Sequence, residues 1–403
     1  MIYTGLRGRI GWSWWKNAPD LGALLFRRYP RFVFADIDDL EDVVPVFTFH
    51  SGDPEAIEQY CRLLVESNYQ TLGCSEFIDV LEGRIAPPSR PLLLTVDDAG
   101  GSLWAVIYPL LKRYGLRATT FAVSGLVSDD ETPRPNLDDV WAGRAKLSEV
   151  LSREQSERPM CTWRELAEMH KSGVIDVESH TMHHALVHVG TRIRDFLNPS
   201  TDPYLMGNFN IPMIQEGGRD QVERPLVLGR PVFEAAPRMT ARPRYFDSER
   251  LRHHMQDYVS TQGGAAFFAR RSWRSNLHTE ARRFQRSEGE RGHFESADDC
   301  QAAIRADLAS SREMIGARLG HEARHLCFPW YMGSDVAVTA AKDAGYRSAF
   351  WGILPGSNAP RPGTDPFRIP RIDCRYLPRL PGPLRRPLRE ILVDYFRPLL
   401  PRL

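Results

Sequence analysis

The sequence contains no long uninterrupted apolar run and no marked excess of one charge. Among its 403 residues, 52 lysines and arginines stand against 51 aspartates and glutamates. A membrane-spanning helix needs about 20 consecutive apolar residues, and proteins that bind nucleic acid usually carry a basic surface. We therefore expect neither a spanning helix nor a nucleic-acid partner.

Cysteine is scarce and scattered. None of the six cysteines forms a C-x-x-C pair, so neither a zinc knuckle nor a dithiol redox motif is indicated. The N-terminal residues also lack the apolar core and the small-residue cleavage site of an export signal. From these absences we expect a cytoplasmic protein.

Short apolar segments alternate with segments of helical spacing over much of the chain. Residues 43–51 and 92–96 are typical of buried strands, and residues 54–69 are typical of a helix. This alternation indicates parallel strands joined by crossover helices, hence an α/β fold. Functional side chains in such folds lie at the carboxyl ends of strands, which is where the sequence places Asp97 and Asp98.

The chain can be divided into a main domain and three other segments. Residues 1–42 form an N-terminal accessory segment, and residues 43–380 form the main domain. An arginine-rich insertion at about 190–300 interrupts that domain; it is either a lid, a surface for an anionic part of the substrate, or a solvated excursion. Residues 381–403 form a basic amphipathic C-terminal segment, which either docks on the protein itself or lies on an anionic membrane surface. The second alternative makes the protein peripheral to the inner membrane.

Two adjacent carboxylates and two histidines suggest a metal site. Asp97 and Asp98 repel each other unless a positive charge lies nearby, and His180 and His184 follow another predicted strand four residues apart. Imidazoles at that spacing share one face of a helical turn and can bind one ion. Nitrogen and carboxylate ligands suit Zn²⁺, and also Co²⁺, Ni²⁺ or Fe²⁺. We predict one divalent metal ion that neutralises one aspartate and leaves the other to act as a base.

Three stretches carry a family resemblance. "TVDDAG" (95–100), "SHTMHH" (179–184) and "FPWYMGS" (328–334) resemble three motifs of the polysaccharide deacetylase family, the NodB homology domain of carbohydrate esterase family 4. The resemblance covers roughly residues 43–190 and 300–375. It implies an irregular parallel (β/α) barrel with a large insertion. It also implies hydrolysis of an N-acyl group, N-acetyl above all, on an amino sugar or glycan intermediate, with release of acetate.

The resemblance also assigns roles to residues. By the first two motifs, Asp97 matches the general base and Asp98, His180 and His184 match the metal ligands. "VPVFTFHS" resembles the N-terminal strand of a branch in which the last motif is permuted to the front, so that His50 is the candidate general acid. By the third motif, a backbone N–H near Trp330 would stabilise the oxyanion, and the residues that would contact the substrate are Pro329, Trp330 and Tyr331.

The sequence departs from the family pattern in three places, one of which is Val96 in place of the usual phenylalanine. Ala99 replaces the usual glycine, from which we expect a turn that needs no positive φ. The arginine that usually steadies the base is not identified, because Arg324 lies too far before Pro329.

His183 is expected on the surface or beside the ligands. His188, four residues after His184, either extends the metal cluster or lies on a plain polar face, and we expect the polar face.

Two alternatives remain open at this stage. One is an amidohydrolase of the same fold that acts on a non-sugar amide, a formamide or a cyclic imide. The other is a carbohydrate-binding relative without activity.

Overall fold

Parallel strands form the main sheet of the computed structural model, which describes residues 20, 22–50, 52–132, 134–156, 158–201, 209–221, 226–289, 292–354 and 359–396. The strands of the described residues, in this sheet and in three smaller ones, are β1 (Val46–Phe49), β2 (Gln70–Thr71), β3 (Pro91–Asp98), β4 (Ala118–Ala122), β5 (Ile175–Ser179), β6 (Leu186–Phe196), β7 (Ile214–Glu216), β8 (Arg219–Gln221), β9 (Pro231–Pro237), β10 (Tyr245–Phe246), β11 (His293–Phe294), β12 (His325–Cys327), β13 (Ser348–Phe350) and β14 (Ile372–Asp373).

Helices connect or follow most of these strands. They are α1 (Arg31–Phe34), α2 (Pro54–Glu66), α3 (Cys74–Leu81), α4 (Tyr108–Tyr114), α5 (Leu137–Trp141), α6 (Leu147–Leu151), α7 (Trp163–Lys171), α8 (Glu249–Thr261), α9 (Trp273–Glu288), α10 (Ala297–Leu319), α11 (Asp335–Asp343) and α12 (Leu388–Phe396). A π-helical segment, Leu103–Ile107, runs directly into α4.

The described residues divide into two compact units. The larger unit comprises Pro19–His183, Asp307–Met332 and Ala341–Leu403, and the smaller comprises His184–Ala306 and Gly333–Ala340. Each is described below by itself.

The larger unit contains the parallel sheet, whose strand order is β13-β12-β5-β4-β3-β1-β14, with β2 paired to β3. All of these pairs are parallel. The central strands are buried along nearly their whole length, as expected where helices cover both faces. The predicted parallel α/β architecture is therefore confirmed, and the strand predicted at 92–96 lies within β3.

A short stretch of chain joins the two ends of this sheet. Ile369 forms a parallel bridge with Phe350 of β13, and three residues later Ile372 pairs with Phe47 of β1. Residues 369–373 therefore connect the last strand of the series to β1. One buried cluster of the unit includes Ile369 of this stretch, and its members are Val44, Val46, Leu72, Cys74, Phe77, Ile78, Val80, Leu81, Leu93, Phe121, Cys327, Phe350 and Ile369.

Local sequence signals explain where several helices begin and end. The Asp53 side chain accepts a hydrogen bond from the Ala56 N–H at 3.0 Å and so caps α2. Thr162 and Glu165 form a capping box at the start of α7. Gly115 ends α4 in the left-handed conformation that glycine adopts without strain.

The smaller unit has its own core and antiparallel strands. β6 pairs with β9, β7 with β8 and β10 with β11. α8 and α9 supply most of the buried residues that pack beside β6 and β9, among them Leu251, Met255, Val259, Leu277 and Ala281. The arginine-rich segment of the sequence thus contains ordered secondary structure, and the segment boundaries drawn from the sequence stay a prediction.

Part of the two predicted terminal segments lies outside the described residues. In the C-terminal segment, Ile391 of α12 is buried and the Arg375 guanidinium lies 3.9 Å from the centroid of the Tyr395 ring. Within the described residues, no helix has the length and apolarity that crossing a membrane requires.

Candidate active site

The two adjacent aspartates lie at the carboxyl end of β3, and both are buried with 2% of their surface exposed. The chain turns sharply there, since Asp98 has φ 72° and Ala99 has φ 58°. The expectation that Ala99 needs no positive φ was therefore wrong. A non-glycine residue in this region is strained, and the turn is held by its surroundings, including the bond from the Cys161 N–H to the Ala99 carbonyl at 2.9 Å.

Asp97 is engaged by an arginine that the sequence reasoning missed. Arg371 donates from Nη1 to Asp97 Oδ1 at 2.6 Å and from Nη2 to Oδ2 at 2.8 Å. Its Nε donates to the Trp351 carbonyl at 3.1 Å, and its side chain is 0% exposed. A signal for it was that Arg371 lies between Pro370 and Ile372 in "FRIPRID", because an arginine buried with such neighbours needs a partner for its charge.

The pKa of Asp97 lies below its ordinary value. Burial alone raises it, but the charge of Arg371 and its hydrogen bonds, together with His180 and His50, more than offset burial. Asp97 is therefore an ionised carboxylate at neutral pH.

His180 lies at the end of β5 with its ring orientation fixed. Its Nδ1 lies 2.8 Å from the Cys327 carbonyl oxygen. A carbonyl can only accept, so Nδ1 carries the proton and Nε2 keeps its lone pair. Burial lowers the pKa of His180 to about 4, so the ring is neutral at pH 7. Nε2 lies 3.5 Å from Asp98 Oδ1.

Asp98, His180 and His184 together form a group that can hold a metal ion. One ligand atom from each lies within 4.8 Å of the others, and all three residues are buried. His184 follows His180 on the same loop, has φ 51° and packs against Phe209 with ring centroids 4.2 Å apart. One carboxylate and two imidazoles fit a divalent transition-metal ion, and they leave coordination positions for water and substrate.

A second group, Asp97, His180 and Cys327, is also close enough to share an ion. It is the poorer donor set. Burial raises the pKa of the Cys327 thiol well above its ordinary value, so the thiol is protonated. Asp97 already accepts two hydrogen bonds from Arg371.

His50 follows β1 and lies close to Asp97. Its Nε2 is 3.7 Å from Asp97 Oδ2 and 3.2 Å from the Tyr331 hydroxyl. Its side chain is 36% exposed, against 2% for Asp97. A ring that reaches both the buried carboxylate and solvent can exchange a proton with a bound substrate.

The turn after β12 carries the third motif. Pro329 is buried, Trp330 and Tyr331 are half-buried, and Trp330 and Tyr331 have φ 59° and 61°. The Arg371 guanidinium lies 5.2 Å from the centroid of the Tyr331 ring. The structure thus joins Asp97, His50 and Tyr331 in one cluster.

Two further histidines are separate from these groups. His183 Nδ1 lies 2.9 Å from Asp307 Oδ2, and its side chain is 46% exposed. His188 is not on a solvated polar face as expected: it is 3% exposed, and its ring packs edge-on against Phe233. The β6–β9 pairing turns it into the core of the smaller unit.

Buried carboxylates and imidazoles thus lie at the carboxyl ends of parallel strands, which is where α/β barrel enzymes place their active sites. The sequence model of the family described as polysaccharide deacetylase matches residues 84–198, a span that contains Asp97, Asp98, His180 and His184. The resemblance predicted from the motifs is therefore confirmed by the match over this span.

Known proteins similar to this chain include one curated relative and two solved structures. A poly-β-1,6-N-acetyl-D-glucosamine N-deacetylase of Escherichia coli is 23% identical over 150 residues, which are 37% of this chain and 20% of the relative. The match thus spans only a fifth of that relative's length.

The structures are a de-N-acetylase from Aggregatibacter actinomycetemcomitans and the BpsB deacetylase domain from Bordetella bronchiseptica. The first has 17% identity and a TM-score of 0.46, covering 82% of this chain and 94% of that one. The second has 17% identity and a TM-score of 0.48, covering 84% and 98%.

Proposed function

We propose that this protein is a metal-dependent N-deacetylase that removes the acetyl group from an N-acetylated amino sugar in a glycan. The observation that carries the proposal is that two adjacent carboxylates have different partners. Asp97 is paired with Arg371, whereas Asp98 lies with His180 and His184 in a set of metal-ligand type. One carboxylate is thus suited to proton transfer and its neighbour to metal binding.

The proposed metal ligands are Asp98, His180 and His184. A divalent cation held there, Zn²⁺ above all, supplies Lewis acidity that polarises the acyl carbonyl and activates water. His180 suits this role because its Nδ1–H donates a hydrogen bond to the Cys327 carbonyl, and its unprotonated Nε2 lies 3.5 Å from Asp98 Oδ1.

Asp97 is the proposed general base. In its ionised form it accepts a proton from the attacking water as the C–O bond forms. Arg371 keeps the carboxylate ionised and fixes its orientation. A backbone N–H near Trp330 stabilises the negative charge that develops on the carbonyl oxygen.

His50 is the proposed general acid. As the C–N bond breaks, its Nε2 donates a proton to the leaving nitrogen, and the products are acetate and a free amine. The Tyr331 hydroxyl, 3.2 Å from Nε2, holds the ring toward Asp97.

The name of one relative supports a proposal on the substrate class. The Escherichia coli relative is named for poly-β-1,6-N-acetyl-D-glucosamine. We infer that a β-linked N-acetylglucosamine polymer or its biosynthetic intermediate is the substrate here, with Pro329, Trp330 and Tyr331 as its contacts.

One experiment tests the reaction and the metal together. The purified chain is analysed for bound metal and then assayed for acetate released from N-acetylglucosamine oligomers. His184→Ala is the test variant, and His253→Ala, at an exposed histidine of α8, is the matched control. One metal ion per chain and acetate that disappears only in His184→Ala supports the proposal. Metal without acetate from any sugar favours a non-sugar amidohydrolase or a binding protein without activity.

The cellular location and membrane contact through residues 381–403 stay predictions. Fractionation of cells that express the full chain, with and without those residues, tests both.

A further inference from the structure

One carboxylate of helix α10, that of Asp307, contacts the loop that carries both histidine ligands. Asp307 Oδ1 accepts a hydrogen bond from the Met182 N–H at 2.9 Å, and Oδ2 lies 2.9 Å from His183 Nδ1. The Asp307 side chain is only 10% exposed. A single side chain therefore fixes two consecutive residues between His180 and His184.

The next turn of the same helix holds the strand end before the loop. Ser311 is fully buried, and its hydroxyl lies 2.9 Å from the Ser124 hydroxyl and 2.8 Å from the Ser179 hydroxyl. Ser179 in turn accepts from the Thr181 N–H at 3.2 Å. The chain of hydroxyls links α10 to the residues on both sides of His180.

The backbone of this loop needs such support. Thr181 has φ 68° and His184 has φ 51°, a region that residues other than glycine occupy only when their surroundings impose it. The Gly125 N–H donates to the Met182 carbonyl at 2.9 Å. A Cβ at Gly125 would lie 2.5 Å from that oxygen, so the close approach requires glycine.

We propose that Asp307 and Ser311 are positioning residues that hold His180 and His184 in the geometry of the metal centre. The inference rests on the proposed function, since it concerns the affinity of that centre for its ion. Neither residue belongs to the set of metal ligands. Groups that orient ligands in this way typically change metal affinity 10- to 100-fold when they are removed.

The test measures Zn²⁺ affinity of the metal-stripped full chain by competition with a chromophoric chelator. Asp307→Ala is expected to weaken binding by about 10- to 100-fold. Asp307→Asn, which retains an acceptor for the Met182 N–H, is expected to fall between Asp307→Ala and the unmodified chain. Glu313→Ala removes an exposed carboxylate from the same helix and is expected to bind like the unmodified chain.

Ser311→Ala provides a second variant in case Asp307→Ala does not fold, and circular dichroism reports folding for all of them. Zn²⁺ affinity within about twofold of the unmodified chain in every folded variant at Asp307 and Ser311 overturns the inference. That result leaves the proposed function intact. If the unmodified chain itself does not bind Zn²⁺, the proposed metal centre fails, and the inference fails with it.

Discussion

Arg371 and Asp97 form a buried pair in which the guanidinium donates to both carboxylate oxygens, at 2.6 and 2.8 Å. The two side chains are 0% and 2% exposed. Water cannot replace either partner, so each charge depends on the other for its solvation.

Removing the arginine should therefore destabilise the protein. Arg371→Met leaves an unpaired carboxylate in the interior, and the expected loss is about 3–5 kcal/mol in the free energy of unfolding. Turnover should fall as well, because the base loses its orientation. Urea denaturation measures the first effect, and Arg361→Met, at an exposed arginine of the same loop, is the matched control.

A double variant separates charge from packing. Adding Asp97→Asn to Arg371→Met removes the stranded charge, so part of the lost stability should return. If the double variant is as unstable as Arg371→Met, the loss came from packing and the charge explanation is wrong.

Asp97 and Asp98 should behave differently when each is changed to asparagine. Asp97→Asn should retain bound metal and lose turnover, because the base is absent while all three ligands remain. Asp98→Asn should lose bound metal, and turnover with it, since one ligand is replaced by a neutral amide. Metal analysis and acetate release on the same preparations distinguish the two, and normal turnover in Asp97→Asn would contradict the assignment of the base.

The acid role of His50 can be tested with the leaving group. His50→Ala should slow amide hydrolysis by about 10²–10⁴-fold. It should slow hydrolysis of an activated ester much less, because that leaving group needs no proton. Tyr331→Phe removes one hydrogen bond to His50, and such a bond commonly contributes about 0.5–1.5 kcal/mol. The rate of amide hydrolysis should therefore fall by about 2- to 10-fold. Equal slowing of amide and ester in His50→Ala speaks against an acid role.

His325, which is not one of the proposed metal ligands, gives a pH dependence of stability. The ring is buried at the start of β12 with its nitrogens 2.8 Å from the Ser75 and Ser348 hydroxyls. Burial lowers its pKa from 6.5 to about 3. Between those two values the unfolded chain binds a proton that the folded chain does not, so stability falls as pH is lowered through this window, by about 1.4 kcal/mol per pH unit.

The measurement compares urea denaturation at pH 7 and pH 5 for the unmodified chain and for His325→Gln. The unmodified chain should lose about 2 kcal/mol more than the variant over this interval. An identical loss in both proteins would show that other groups cause the acid sensitivity.

The sequence predicted the parts of this protein that depend on local patterns. Buried strands such as β3 are largely apolar runs, and helices such as α2 are preceded in the sequence by a capping residue. The resemblance to a known family then brought Asp97, Asp98 and the histidines into one site.

Partners that meet only through the tertiary structure escaped prediction. Arg371 lies 274 residues from Asp97 in the chain, and their contact depends on how residues 369–373 enter the sheet. Asp307 meets His183 across 124 residues. Neither spacing leaves a periodic signal, and the positive φ of Ala99 follows from surroundings that the local sequence does not describe.

The stretch 369–373 has a consequence for how the protein would lose activity. Its Ile369 and Ile372 join the two ends of the sheet, and Arg371, which holds Asp97, lies between them. Closure of the sheet and the orientation of Asp97, the proposed base, thus depend on the same few residues. Local opening of residues 369–373 would abolish the proposed activity while most secondary structure persists. On gentle heating the protein would therefore lose activity before it unfolds.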